Sequence, residues 1–504
     1  MADNAQDSNA GKRPRARNSI KWLFNTEPEQ PGEIPRKELA CFTLGLTGQN
    51  QLYNMAGGKF FHFCTNVLMI APTIVGKLTG AVAVFDALND PVAGALIDNH
   101  RFRDGRKLQP WIKLTSPLIA VLAFLLFVNW NFTNPGTTVF YCAVVYVLWD
   151  ILYSFQDASL WGMTAAISPL SSQRARTTQW ADVGAFLGGL IPGLLMPMLS
   201  GDGAFGLNQQ QVYLLFALFM CLGGGFLTMA SLGTTERVRS QPGEERSVWK
   251  NIGALRFNYV LLLFLVSEVL QRCTPSISDI YIFQQMTYRV GSKEIPATVL
   301  VTVLGALAGL PGSAAKFVAT KIAARLGGMK RVMIIACVAD IAVRILQYFI
   351  GIKTLPMLVL GYVFEIIKGL PGGIRNTAQR SMISDSVEYV EWKTGERTEG
   401  ITMAMRNLMS KLGGAVEKYI QGYCLRFLQF DANFVKQNRP QNAHFQKWVW
   451  PMFRLGPVFG LVLSLIPLLL LKYPDSLKAQ VEDEMAQRRA VAKFAAENMA
   501  ENEA

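Results

Sequence analysis

The sequence predicts an all-α membrane protein of twelve transmembrane helices in two pseudo-symmetric six-helix bundles. Three observations carry this reading. Of 504 residues, 51% are hydrophobic and only 17% are charged, whereas about a quarter of a soluble domain is charged. Twelve windows are apolar over roughly the 20 residues that a helix needs to cross a bilayer. Related sequence features also recur at a near-constant offset, as expected of a duplicated bundle.

In order, the windows run 39–63, 71–97, 111–130, 137–164, 179–199, 211–233, 258–283, 297–319, 330–350, 355–379, 400–425 and 449–472. Segments 211–233 and 455–471 hold no charge; the first is rich in Gly, Asn and Gln, and the tenth carries several charges. Residues 1–37 hold Lys12, Arg13, Arg15 and Arg17 without the apolar core of a signal peptide, and read as a polar tail. The expected organisation is then a bundle at 38–233, a linker at 234–257, a second bundle at 258–473 and a charged tail at 474–504. Cys41, Cys64, Cys142, Cys221, Cys273, Cys337 and Cys424 are isolated, which suggests small core residues rather than disulfides or zinc ligands.

Loop charge orients the chain. Loops on the side of the termini hold eighteen basic residues and the opposite loops seven, so both termini are expected in the cytoplasm, in a plasma membrane. The net charge of +13 is thereby read as a topological signal and not as a nucleic-acid footprint. The duplication shows in Arg103-Asp104-Gly105-Arg106-Lys107 against Gly327-Gly328-Met329-Lys330-Arg331, and in Arg176 against Arg397, at offsets of 223 and 221. Two such halves around a central cavity form a carrier architecture, with substrate bound near the midplane.

A charge in a spanning helix costs at least ~2.5 kcal/mol, so each one needs a partner or a role. Asp86 and Asp90 lie one turn apart with Asn89 beside them, and like charges at that spacing repel unless a cation or proton intervenes. Asp150, Tyr153, Ser154, Asp157 and Trp161 share one face of the fourth segment. Oxygen ligands on two such faces suit a hard cation such as Na⁺, or a proton; pairing with Lys77, Lys411 or Arg406 is the structural alternative. Glu268 with Arg272, Asp340 with Arg344, and Glu365 with Lys368 read as local ion pairs. Asp182, Asp279, Arg375, Arg406 and Lys411 have no such local partner. Pro371-Gly372-Gly373 suits close helix packing or a hinge.

At this point the residues resemble a known family. Asp86-Ala-Leu-Asn-Asp-Pro-Val-Ala-Gly94 with Asp98, Arg101, Gly105 and Arg106 is similar to the signature of the glycoside/pentoside/hexuronide:cation symporters, the melibiose permease group of the major facilitator superfamily. So are the run Asp385 to Gly400, with Glu388, Glu391 and Arg397, followed by Lys411, and the pair Asp157 and Trp161. The resemblance spans about 38–475 and implies the major facilitator fold. It implies a cation site of Asp86, Asn89, Asp90, Ser154 and Asp157 for Na⁺, H⁺ or Li⁺, with no other cofactor. It further implies a substrate site of Gln49, Asn50, Tyr153, Asp157, Trp161, Asp182, Asn376, Arg406 and Asn407, to which Lys411 is added. The sequence departs from the permease at Asn50, Asp182 and Asn376, where the permease has Asp, Arg and Trp; this and Arg406 suit a hexuronide or another anionic or zwitterionic solute as well as a neutral disaccharide. Asp98, Arg101, Gly105, Arg106, Asp385, Glu388, Glu391 and Arg397 are expected to form a cytoplasmic gate of ion pairs.

The expected function is cation-coupled symport of a sugar, glycoside or hexuronide by a monomer in a lipid bilayer. The alternative is a carrier of a lipid-like or zwitterionic solute on the same fold. An enzyme is disfavoured: the only histidines are His62, His100 and His444, and neither an HExxH nor a phosphate-cradling loop occurs.

Overall fold

The computed structural model describes residues 33–471, apart from 101, 103–105, 169, 200–206, 238–257, 316–321, 323–324, 327, 395–398 and 438, and a few residues between 480 and 487. Most of both tails and of the 234–257 linker thus lie outside the described residues.

The first half contains α1 (Arg36–Asn66), α2 (Pro72–Asn99), α3 (Gln109–Leu125), α4 (Pro135–Ala166), α5 (Ser171–Leu199) and α6 (Gln209–Gly233). The second contains α7 (Tyr259–Arg272), α8 (Ala297–Ala315), α9 (Met329–Ile350), α10 (Leu355–Thr394), α11 (Glu399–Phe427) and α12 (Ala443–Leu470). Among the described residues six of these, α2, α4, α6, α9, α10 and α12, are individually long and apolar enough to cross a membrane. Of the others, α3 and α8 are apolar but offer shorter apolar runs, whereas α1 carries more polar residues and buries Gln49, Gln51, His62 and Asn66.

Local chemistry sets the helix starts. Asn134 accepts from the Gly136 amide with Pro135 opening α4. Asn208 and Gln211 form a reciprocal capping box at α6, at 2.9 and 3.0 Å. Asn258 and Asn442 cap α7 and α12 through Leu261 and Phe445. α6 loosens into a π turn at Leu218–Leu222 before regaining α geometry.

Small residues let backbones touch. A Cβ on Gly184 or Gly188 of α5 would lie 2.4 or 2.3 Å from the Thr43 or Thr47 carbonyl oxygen of α1. Gly373 of α10 meets α8 still more closely: a Cβ there would lie 1.9 Å from the Gly312 oxygen. α10 runs unbroken through Pro371-Gly372-Gly373, so that motif serves packing in this conformation.

Three features differ from the sequence reading. The 258–283 segment is interrupted: α7 stops at Arg272 and only a single turn, Ile280–Phe283, follows. Pro275 lies in the break, and the Thr274 hydroxyl donates to the Gly456 carbonyl of α12 at 2.8 Å, which holds the chain end against α12 without a continuous helix. A hairpin of β1 (Thr287–Val290) and β2 (Lys293–Pro296) then precedes α8, turning at Gly291 with φ 63°. Finally, residues 234–237, assigned to the linker, belong to the first half. Glu236 accepts from the Lys107, Leu108 and Gln109 amides at 3.0, 2.9 and 2.7 Å, neutralising the positive end of α3. Arg237 clasps Glu38 of α1 at 2.7 and 2.8 Å.

Candidate cation and substrate site

α2 and α11, from opposite halves, pack antiparallel, and glycine sets their register. A Cβ on Gly422 would lie 2.6 Å from the Pro72 oxygen, one on Gly76 2.9 Å from the Lys418 oxygen, and one on Gly80 3.2 Å from the Ala415 oxygen. Continuing this ladder brings Lys411 of α11 over Asp86 and Asp90 of α2. The Lys411 ammonium donates to Asp86 Oδ1 at 2.8 Å and to Asp90 Oδ2. The two acids are thus bridged by a cation supplied from the other half.

α4 completes the group. Ser154 donates to Asp86 Oδ1 at 3.3 Å and lies 3.2 Å from the Asp150 carbonyl oxygen. One turn further on, Asp157 accepts from Gln49 of α1 at 2.5 Å, and the same amide reaches the Tyr153 hydroxyl at 2.9 Å. Asn50 donates to Gln49 Oε1 at 3.1 Å and Tyr53 stacks on Tyr153 with centroids 5.5 Å apart. Asp157 also lies within electrostatic range of Asp90, Lys411 and Asp86. Asn89 keeps its amide nitrogen buried with no hydrogen-bond partner among the described residues. Two carboxylates, a hydroxyl, an amide and a nearby third carboxylate are hard donors. Among the described residues, however, no three His, Cys, Asp or Glu side chains are grouped as metal ligands, and Lys411 pairs with both Asp86 and Asp90.

A cavity of about 790 Å³ lies between the halves, beyond this group on the side away from the chain ends. Phe60, Tyr146, Tyr281 and Tyr362 contribute aromatic walls, and Lys59, Lys418 and Asp279 contribute charge. Its far end is closed by a polar clasp. His62 of α1 donates through Nε2 to Gln284 Oε1 at 3.1 Å while its Nδ1 accepts from the Tyr213 hydroxyl of α6. Asn66 donates to the same Gln284 oxygen at 2.9 Å, and Thr65 shares a 2.8 Å bond with Tyr281.

Of the residues expected to bind substrate, Gln49, Asn50, Tyr153 and Asp157 are brought together. The others are not part of that hydrogen-bonded group. Lys411 pairs with Asp86 and Asp90 instead of remaining available for substrate. Trp161 packs against the core of Phe42, Leu46, Ile97 and Leu160, since its position on α4 faces the α1 and α2 side chains at the bundle end. Asp182, Asn376 and Asn407 are exposed, and the buried Nε of Arg406 has no hydrogen-bond partner among the described residues. None of these ten residues lines the cavity, whose walls lie further along the same helices: a face can be read from periodicity, depth cannot. The sequence reading passed over Lys59, Tyr362 and Lys418; an unmatched Lys in an apolar segment was the available signal for the two lysines.

At the expected gate, Arg106 donates to Gln109 Oε1 at 2.8 Å, within its own loop and helix start. Asp385, Glu388 and Glu391 lie on the last turns of α10, which continues as helix to Thr394 and not as a loop. Arg101, Gly105 and Arg397 lie outside the described residues, as does the side chain of Asp98.

A second charged cluster fills the interior of the other half. Asp340 of α9 pairs with Arg344 at 2.9 Å and with Arg375 of α10 at 3.7 Å. Glu365 of α10 pairs with Lys368 and with Arg454 of α12 at 3.3 Å, and Gln347 donates to Glu365 at 2.8 Å. The expected Glu268–Arg272 pair does not form: Arg272 reaches across to Glu417 and Ser410 of α11, both at 3.3 Å.

Two helical halves enclosing a cavity, with ionisable side chains bridging them inside an apolar protein, suit a membrane transporter of small molecules, and the family match identifies the protein as a transporter and not an enzyme. The chain belongs to the MFS/sugar transport protein family, whose model matches residues 41–475. It is 25% identical to the isoprimeverose transporter of Lactiplantibacillus pentosus over 91% of this chain and 94% of that one. It is 27% identical to the lactose permease of Lactobacillus delbrueckii subsp. bulgaricus over 75% of this chain and 61% of that one. The fold resembles the crystal structure of a D-xylose–proton symporter, with a TM-score of 0.58 at 13% identity, covering 85% of this chain and 96% of that one.

Proposed function

We propose that the protein is a secondary active transporter that couples Na⁺ or H⁺ to symport of a sugar, glycoside or hexuronide by alternating access. In this reading it acts as a monomer with twelve spans in the plasma membrane and both termini in the cytoplasm. The observation that carries the reading is the Lys411 bridge over Asp86 and Asp90, because it ties the two halves together through a replaceable cation. A Na⁺ ion or protons taking the acids release the ammonium and so untie α2 from α11, which lets the halves rock. Gln49, Tyr153 and Asp157 adjoin the site, so a sugar hydroxyl bound there gains from the same rearrangement, and by linkage cation and substrate raise each other's affinity equally. The relatives named for isoprimeverose and lactose favour a glycoside. The lysines and Asp279 of the aromatic cavity favour a solute that bears charge, and keep a zwitterionic or lipid-like substrate as the second reading.

Purified protein in liposomes, assayed with radiolabelled glycosides, uronides and lysolipids, tests both readings. An imposed Na⁺ or H⁺ gradient is expected to accelerate uptake of at least one sugar or uronide. Asp90→Asn is expected to weaken that cation dependence about 10- to 100-fold, the weight of one charge-assisted contact. Cation dependence unchanged in both Asp86→Asn and Asp90→Asn would sink the coupling assignment, and uptake of lysolipid alone would select the second reading.

A further inference from the structure

Asp150 takes no part in the site as described, yet its carboxyl group is buried beside it. It sits one helical turn before Ser154 on α4, retains only 6% of its surface exposure, and its Oδ2 is buried with no hydrogen-bond partner among the described residues. Leaving a carboxylate oxygen unpaired inside an apolar bundle is costly, so a partner in another state is the economical explanation. Within electrostatic range of it are Asp86 and Asp90 from α2 and Lys411 and Lys418 from α11, with the Tyr146 hydroxyl on its own helix. Lys411 and Lys418 are two turns apart on α11 and share a face. Asp150 therefore lies among three groups at once: the acids of the cation site, the lysine that bridges them, and the cavity wall formed by Tyr146 and Lys418, themselves 3.5 Å apart.

We infer that Asp150 is the second seat of the Lys411 ammonium, which leaves Asp86 and Asp90 for Asp150 when a cation occupies the first pair. This inference rests on the proposed coupling, with Na⁺ as the cation. Without a receiving carboxylate, cation binding would strand an ammonium in a low-dielectric interior, and its cost would oppose binding. With one, each cation has an acid in both states: Lys411 on Asp86 and Asp90 before, Na⁺ on that pair and Lys411 on Asp150 after. The flexible four-carbon stem and three rotatable donors of lysine suit such an exchange. The move also carries a positive charge toward Lys418 and Tyr146, and so transmits occupancy of the cation site to the wall of the substrate cavity. Asp150 acts through Lys411 and is a positioning residue.

Equilibrium binding of radiolabelled Na⁺ to the purified full-length chain tests this without a substrate. Asp150→Asn is expected to weaken Na⁺ binding about tenfold, equivalent to about 1.4 kcal/mol, while Asp150→Glu, which keeps the carboxylate, stays within about threefold of wild type. In a Lys411→Gln background the Asp150→Asn change is expected to have no further effect, since no ammonium remains to be received. Wild-type affinity in Asp150→Asn, a loss in Asp150→Glu as large as in the Asn variant, or an undiminished loss in the Lys411→Gln background each overturns the inference and leaves the coupling proposal standing. Absence of Na⁺ binding by the wild type overturns the inference together with Na⁺ coupling.

Discussion

The two halves neutralise their interior charges differently. In the second half, Asp340, Arg344, Glu365, Lys368, Arg375 and Arg454 pair with one another among α9, α10 and α12, so that half can move as a body without parting them. In the first half, Asp86 and Asp90 find no base among their described partners in α1 to α6 and depend on Lys411 from across the interface. The ion pairs within a half hold its shape. A pair between halves must break when they separate, and under the proposed coupling it is this pair that ties ion occupancy to the motion.

That contrast can be broken by experiment, beginning with the largest effect. Removing the charge of Glu365 with Glu365→Gln leaves Lys368 and Arg454 without their carboxylate and is expected to destabilise the protein by about 3 kcal/mol. Thermal unfolding of the purified variant measures the loss, and cation dependence of transport in the protein that survives should match wild type. A shift in cation dependence there would mean that the second cluster also takes part in coupling.

The next effect probes the α2–α11 register. Gly422→Val places side-chain atoms where the Pro72 carbonyl lies and forces the helices apart, at an expected cost of about 2 kcal/mol. Because Lys411 loses its position over Asp86 and Asp90, cation affinity should change in this variant, whereas Gly373→Ala, which perturbs contacts inside one half, should lower stability with cation affinity retained. Equal cation affinities in both variants would remove the distinction between the two interfaces.

The smallest expected effect concerns the clasp at the far end of the cavity. Gln284→Ala removes the acceptor shared by His62 and Asn66, a loss of about 1 kcal/mol between the halves. Thiol labelling of a Cys placed at Ser278 on the cavity wall should accelerate as that end opens more often. Unaltered labelling would show that the clasp does not limit access from this side.

How far the site could be read from sequence follows from how local each interaction is. Asp340 with Arg344 and Glu365 with Lys368 are one turn apart, so helical spacing alone forecasts their pairing. The same rule fails for Glu268 and Arg272, because Glu417 and Ser410 on a packed neighbour offer Arg272 acceptors that spacing cannot reveal. Asp86 and Asp90 stood out as acids in an apolar run, yet their counter-ion lies 325 and 321 positions away. Glu236 looked like linker because nothing local marks it as the acid that closes the start of α3, more than 120 residues earlier in the chain. Trp161 had the right face of α4 but lies beyond the depth at which the cavity opens.

By itself, the sequence determined the helical membrane class and the acids that an apolar interior has to accommodate, because composition, periodicity and charge in a low-dielectric medium act locally and leave a pattern along the chain, while the family was legible only through the resemblance of its motifs. Only the tertiary structure decided who answers those acids. Glycines on α2 and α11 bring two backbones into contact, that contact fixes the register of the helices, and the register places Lys411 between Asp86 and Asp90, with Asp150 Oδ2 nearby lacking a hydrogen-bond partner among the described residues. An ion pair across an interface is a property of how two bodies meet, and no segment of either body encodes it alone.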